Sequence, residues 1–175
     1  MSQDKMEVLK TNLENVLLFK PVKYEDFRGL NIELFNKKEY SQAIYDKINK
    51  EVNFIKDNIA VSSKNVLRGI HGDSKTWKLM SCLEGSIYVV IVNCNEKSPH
   101  FGKWESFDLS EKNMHQVLVP PNYGNAHLVL SDKAIFYYKW SEYYDRSAQF
   151  SIRWNDPRFN IKWPIEKPRL SERDS

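Results

Sequence analysis

The chain has 175 residues, 41% of them apolar and 28% charged, with a formal net charge of +3. That is enough chain for one domain, expected to span residues 1–175, with a substantial core. Lysine and arginine alternate with aspartate and glutamate, which excludes the basic run that nucleic acid or an anionic membrane surface would need, and no apolar run approaches the ~20 residues of a membrane span.

The N-terminus, "MSQDKMEVLK", is polar and lacks the apolar centre of a signal peptide. The first strong element is "NKKEYSQAIYDKINKE" at 36–51, where Tyr40, Ile44 and Ile48 fall on one face of a helix, expected near residues 37–49. After it strands dominate. "NVLRGI", "WKLMSCL", "SIYVVIVNC", "ESFDLS", "HQVLVP", "AHLVLSD" and "AIFYYKWSEYY" are short, rich in β-formers and broken by turn residues. "SIYVVIVNC" is apolar on both faces, as a strand covered on each side would be. Cys82 and Cys94 are the only cysteines and stand in such stretches. No disulfide framework is expected, and a reducing cytoplasm is the expected compartment. The tail "WNDPRFNIKWPIEKPRLSERDS" is proline-rich and reads as a surface wrap. Aromatics reach 13%, and strand after strand with one helix predicts an all-β sandwich or barrel.

Four histidines are candidates for chemistry: His71, His100, His115 and His127. His100 and His115 sit among Pro, Lys, Glu and Asn and read as exposed and inert. His71 is expected to end a strand before Gly72, and His127 to open one. The plain reading for either is a hydrogen-bonded histidine at a sheet edge. A metal site needs three or four converging ligands, and the sequence has no HxH, CxxC or HExxH, so no metal is expected. It also lacks a GxSxG elbow, a phosphate-binding P-loop and a dinucleotide fingerprint. Lys78 alternates with Met80 and Cys82 in "TWKLMSC", while Tyr138 shares a face with Phe136 and Trp140 in "AIFYYKW". If those faces point inward, a lysine and a tyrosine line a pocket. If not, Lys78 snorkels to solvent and Tyr138 is an ordinary core residue.

Over nearly its whole length the chain resembles the nucleotide-sugar 3,5-epimerase family, typified by dTDP-4-dehydrorhamnose 3,5-epimerase. The matching stretches, in order, are "DFRG" at 26–29, "DN" at 57–58, "NVLRGIH" at 65–71, "KL" at 78–79 and "SPHFGKW" at 98–104. "LVLSDKAIFYYK" at 128–139, "IRWNDP" at 152–157 and "LSERD" at 170–174 follow. The resemblance implies a cupin-type jelly roll (double-stranded β-helix), a metal-independent reaction with no cofactor, and a homodimer.

It also implies roles. The substrate would be a 4-keto sugar on a nucleoside diphosphate, whose C3 and C5 protons are acidic because both carbons flank the ketone. An epimerase removes a proton from one face and returns one to the other. His71 resembles the base and Asp174 the carboxylate that orients it. Lys78 resembles the cation that holds the enolate oxygen. Tyr138 resembles the acid on the opposite face. Arg28 and Arg68 resemble contacts to the diphosphate and the ends of the nucleotide, and Asn58 a polar contact at the pocket side. Tyr143 or Tyr144 resembles a stacking partner for the base.

Departures from the rhamnose pattern bear on the substrate. The loop from His71 to Lys78 is short. Where those enzymes commonly read "FAHGF" this chain reads "YGNAH", so their second pocket histidine aligns with Asn125, and His127 follows two places later. An acidic residue frequent near Val89 is missing. "RGIHGD", "GNAH" and "LSERD" resemble the epimerases acting on GDP-4-keto-heptoses in capsule synthesis, which leaves C3, C5 or both as the inverted centres. Within the family, a dTDP-4-dehydrorhamnose 3,5-epimerase proper stays open as the alternative to the heptose reading, and two other classes stay open beside it. One is a cupin isomerase moving the keto group from C4 to C3, whose histidine cluster is usually denser. The other is a silent sugar-nucleotide-binding cupin, against which the joint presence of His71, Lys78, Tyr138 and Asp174 weighs.

Overall fold

Apolar residues alternating with a period of two give this chain its sheets, and one local break in that alternation completes its site. The computed structural model describes residues 5–175. In chain order the elements are β1 (Glu7–Lys10), β2 (Leu17–Lys20), β3 (Lys23–Asp26), β4 (Gly29–Ile32), α1 (Lys37–Ile48), β5 (Lys56–Ser63), β6 (Leu67–Asp73) and β7 (Lys78–Glu84). β8 (Ser86–Asn93), β9 (Trp104–Ser110), β10 (Gln116–Val119), β11 (Tyr123–Val129), β12 (Lys133–Trp140) and β13 (Gln149–Ser151) complete the set.

Two antiparallel sheets face each other. One runs β1-β2-β10-β7-β12-β5 and the other β13-β6-β11-β8-β9, with β3 and β4 forming a separate hairpin. This is the expected all-β jelly roll with one helix. Met80, Cys82, Val89, Ile91, Phe107, Val117 and Phe136 meet between the sheets as the central core. The outer face of the six-stranded sheet is covered by α1, through Tyr40 and Ile44 against Leu17, Phe19, Leu79 and Leu118. α1 starts where the Asn36 side chain accepts the Glu39 N–H and ends at Asn49 in the left-handed region (φ 55°).

The outer face of the five-stranded sheet is covered by the tail. Phe159, Trp154, Trp163, Ile165 and Leu170 pack on Leu67, Ile70, Val92, Ala126 and Leu128. β8 is therefore buried on both faces, as its unbroken apolar run requires.

Three readings of the sequence are corrected. β5 went unanticipated: its outward positions are polar or exposed, and "KDNIAVSS" carries too many Asp, Asn and Ser residues to stand out as a strand. β1 to β4 are likewise too short to announce themselves. His71 does not end its strand, because β6 continues through Asp73, paired with β11 and β13. His127 lies inside β11, which begins at Tyr123.

Alternation would put Arg68 and His71, three apart, on opposite faces of β6. Instead both reach the inter-sheet side while Ile70 is buried in the outer cluster. The cause is local. Gly69 adopts φ 122°, where a side chain is strained, and the register with β11 shifts between Asn125 and His127.

Among the described residues no helix is long and apolar enough to cross a membrane, and both cysteines are free.

Candidate active site

A cavity of about 390 Å³ opens between the two sheets and gathers nearly every residue that the sequence singled out. From the six-stranded sheet come Asn58 on β5, Lys78 on β7 and Tyr138 on β12. From the five-stranded sheet come Arg68 and His71 on β6 and Asn125 and His127 on β11. The tail contributes Asp174, and Tyr144 stands at the rim. Tyr143 is exposed and is not among the lining residues. Arg28 lies outside the cavity of its own chain, on the β3–β4 turn, ion-paired with Asp26 at 2.5 Å. A second concavity of about 520 Å³, lined by His100, Lys103, Tyr123 and the β1–β2 connection, holds none of these residues.

His71 and Asp174 are 103 positions apart and in contact. The His71 Nε2–H donates to Asp174 Oδ1 at 2.5 Å, and the Gly69 N–H donates to Asp174 Oδ2 at 3.2 Å. Asp174 is buried, so its two acceptor oxygens are fixed by one backbone and one side-chain donor. With Nε2 committed to the carboxylate, Nδ1 is the nitrogen left to take a proton. Burial pulls the His71 pKa below its ordinary value. The hydrogen bond and charge of Asp174 oppose that pull, and the cations Arg173 and Lys78 reinforce it. The ring is thus a free base under neutral conditions.

Lys78 is buried, with no carboxylate partner among the described residues. Its Nζ donates to Asn125 Oδ1 at 3.1 Å and lies 5.1 Å from the Trp140 ring centroid. Burial brings its pKa down to about 8. A buried ammonium bonded to a neutral amide is a place where an anion gains much by arriving.

Tyr138 stands on the wall opposite His71, its ring stacked on Phe136 at 4.9 Å and tilted towards Trp140 at 6.1 Å. Its hydroxyl accepts from Asn58 Nδ2 at 3.4 Å, a long bond that leaves the O–H proton available. Arg68 is held by Ser62, which accepts from its Nε at 2.9 Å.

Sequence reasoning missed several lining residues. Lys56 projects from the unanticipated β5 and sits 4.1 Å from the Trp140 ring centroid. Gln149, Ser171 and Arg173 also line the cavity. The signal for Arg173 was present, since "SERD" places it beside Asp174 on a tail that had to fold back.

Asp73 is buried and organises the turn into β7 by accepting from the Lys75 and Thr76 amides at 2.6 and 2.8 Å and from Gln149. Among the described residues no three histidine, cysteine or acidic side chains converge as metal ligands.

Comparison with known proteins identifies the family. A family model described as dTDP-4-dehydrorhamnose 3,5-epimerase matches residues 10–175. The dTDP-4-dehydrorhamnose 3,5-epimerase of Shigella flexneri is 37% identical over 172 residues, covering 97% of this chain and 93% of the relative. A crystal structure of the dTDP-6-deoxy-D-glucose-3,5-epimerase of Legionella pneumophila, in complex with dTDP-4-keto-L-rhamnose, superposes with a TM-score of 0.89 at 35% identity, covering 97% and 90% of the two chains. A 3'-monoepimerase from Streptomyces bikiniensis in complex with dTDP-quinovose superposes with a TM-score of 0.86 at 30% identity, covering 94% and 83%. With a family model spanning all but the first residues and a relative this similar along nearly its full length, the chain belongs to the dTDP-4-dehydrorhamnose 3,5-epimerase family.

Proposed function

We propose that this epimerase inverts C3, C5 or both in a nucleoside-diphosphate 4-keto sugar, with His71 as base, Tyr138 as acid and Lys78 as the holder of the enolate oxygen. The observation that carries the reading is the opposition of His71 and Tyr138 across one cavity, beside a buried lysine that lacks an anion. Nδ1 of His71 takes the proton from the carbon beside the ketone. The C–H electron pair becomes the enolate, whose charge settles on O4 against Lys78 Nζ. The Tyr138 O–H then forms the new C–H bond from the opposite face. Solvent returns a proton to the tyrosine and removes one from the histidine, so the net reaction is inversion alone.

Asp174 is a positioning residue: it holds Nε2–H and so the tautomer that leaves Nδ1 bare. Arg173, lining the cavity, and Lys56, at its rim, suit the diphosphate, Arg68 stands at the other end beside His127, and Trp140 and Tyr144 offer aromatic faces to the base. Arg28, outside the cavity of its own chain, is free to serve a nucleotide bound by a second copy, in keeping with the homodimer that the family resemblance implies. The exposed edge of β5, with Ile59 and Val61 outward, is suited to such pairing. Residues 1–175 are read as one domain, and the free thiols fit a reducing cytoplasm.

The relatives' names favour a dTDP-linked 4-keto-6-deoxyhexose over the GDP-linked 4-keto-heptose expected from "YGNAH". The heptose reading keeps one specific support, the polar pair Asn125 and His127 in the cavity wall. Incubation with a panel of both sugar types in deuterated water tests the whole reading. Solvent deuterium at C3 or C5 with inversion is expected, and the better substrate names the sugar and base. A keto group moved to C3 would make the protein an isomerase, and no exchange with any member would make it a binding protein.

A further inference from the structure

Two enclosed nitrogens in the cavity wall, Trp140 Nε1 and His127 Nε2, have no hydrogen-bond partner among the described residues, and His127 is the one that the proton transfers and the stacking faces leave without a use. His127 is 3% exposed, stacks on Phe136 with centroids 4.1 Å apart, and has an enclosed Nε2 without a hydrogen-bond partner among the described residues. An apolar side chain of similar shape would fill the same space without that desolvation cost.

The register fixes where His127 sits. Along β12, Trp140 stands beside Lys78 and Lys56, Tyr138 beside Asn58, and Phe136 beside Ala60. Each such step of two residues moves roughly 7 Å along the strand. On the facing sheet Asn125 meets Lys78, while His127 meets Phe136. His127 therefore marks the end of the cavity remote from the lysine. Arg68 is its partner in register on β6. Burial, then the Arg68 and His71 charges, hold the His127 pKa down to about 3, so its ring is neutral at any working pH. A neutral imidazole has one donor and one acceptor. A hydroxyl can meet a ring nitrogen in either role, as donor or as acceptor, and a methyl or methylene group in neither.

We infer that His127 selects the sugar by hydrogen-bonding a substrate hydroxyl at the end of the cavity remote from Lys78, so that the substrate class is a 4-keto sugar carrying a hydroxyl there rather than its deoxy counterpart. The inference rests on the epimerase reading above and is independent of the nucleotide base. The expected discrimination is one-sided. A site built to bond a hydroxyl rejects the analogue that lacks it far more strongly than an apolar site rejects an added hydroxyl.

The test uses the full chain and three 4-keto nucleotide sugars that share one nucleotide: a fully hydroxylated hexose, its 6-deoxy analogue and its 2-deoxy analogue. The parent should lose tenfold or more in kcat/KM on one of the two deoxy sugars. In His127→Phe that ratio should collapse towards unity, through loss on the hydroxylated sugar. His127→Gln, which keeps a donor and an acceptor, should retain most of the preference. Each ratio is taken within one preparation, so a smaller folded fraction cancels. If His127→Phe does not fold, the parent ratio and His127→Gln decide. Equal rates on all three sugars in the parent, or an unchanged ratio in His127→Phe, overturn the inference while epimerisation stands. Absence of deuterium exchange with every sugar removes the epimerase reading and this inference with it.

Discussion

His71 and Lys78 set opposite limits on the pH range in which the cavity can work. The His71 pKa lies below its ordinary value and the Lys78 pKa lies at about 8. The profile of kcat/KM against pH, which reports the free enzyme, should therefore have an acid limb below the usual histidine value of about 6.5 and a basic limb near 8. Asp174 raises the His71 pKa. Asp174→Asn should thus move the acid limb to lower pH as it slows turnover. An acid limb that moves up would show that Asp174 does not act on the base. Tyr138→Phe separates the two faces. The enolate still forms and is reprotonated from the histidine side, so deuterium wash-in should outrun inversion, with inversion down on the order of 10²–10⁴-fold. His71→Asn should lose both. Inversion at the parental rate in Tyr138→Phe would make that tyrosine a packing residue.

The elements that matter most are β6 and the tail that lies across it. A chain ending at Arg173 keeps the tail's apolar anchors, Trp154, Trp163 and Leu170, but loses the carboxylate that holds His71 and the Gly69 N–H. It should melt close to the parent and turn over roughly 10²-fold or more slowly. Full activity in that chain would remove Asp174 from the site. Gly72 is the complementary case. A Cβ there would fall on the Phe150 ring, so Gly72→Ala should push β13 off β6 and cost about 1–3 kcal/mol of stability by denaturant unfolding. No change in stability would mean that β13 yields freely.

Much of this was legible in the sequence. Alternation alone put Lys78 with Met80, and Tyr138 with Phe136 and Trp140, and both faces do point into the molecule. The joint placement of Arg68 and His71 was not legible by alternation, because a glycine at positive φ and a register shift set it. Neither follows from hydrophobic period. β5 was hidden for a different reason: an edge strand with one wet face reads like a loop, and Lys56 went unseen with it.

The whole molecule carries the cost of two histidines that resist protonation. Folding lowers the pKa of both His71 and His127, the latter to about 3. Below about 6.5 the unfolded chain takes up protons that the fold refuses. The stability these groups contribute is present above that value and is lost as pH falls towards the folded values. For His127 alone the slope is about 1.4 kcal/mol per pH unit, or about 2 kcal/mol by pH 5. The Tm should drop by roughly 4–8 °C between pH 7 and 5 from this group, and His127→Phe should flatten the fall. An equal fall in both proteins would assign the acid sensitivity elsewhere.

The contact between His71 and Asp174 also has a consequence in time. A ribosome delivers residue 174 long after the strands of both sheets, so the base is left without its partner until the last turn of chain has emerged and docked. During refolding the far-ultraviolet signal of the sheets should therefore return before turnover does. A protease that clips beyond Leu170 should silence the enzyme while both sheets still stand. Catalytic competence in this fold is a late event, and it reports that the tail has docked.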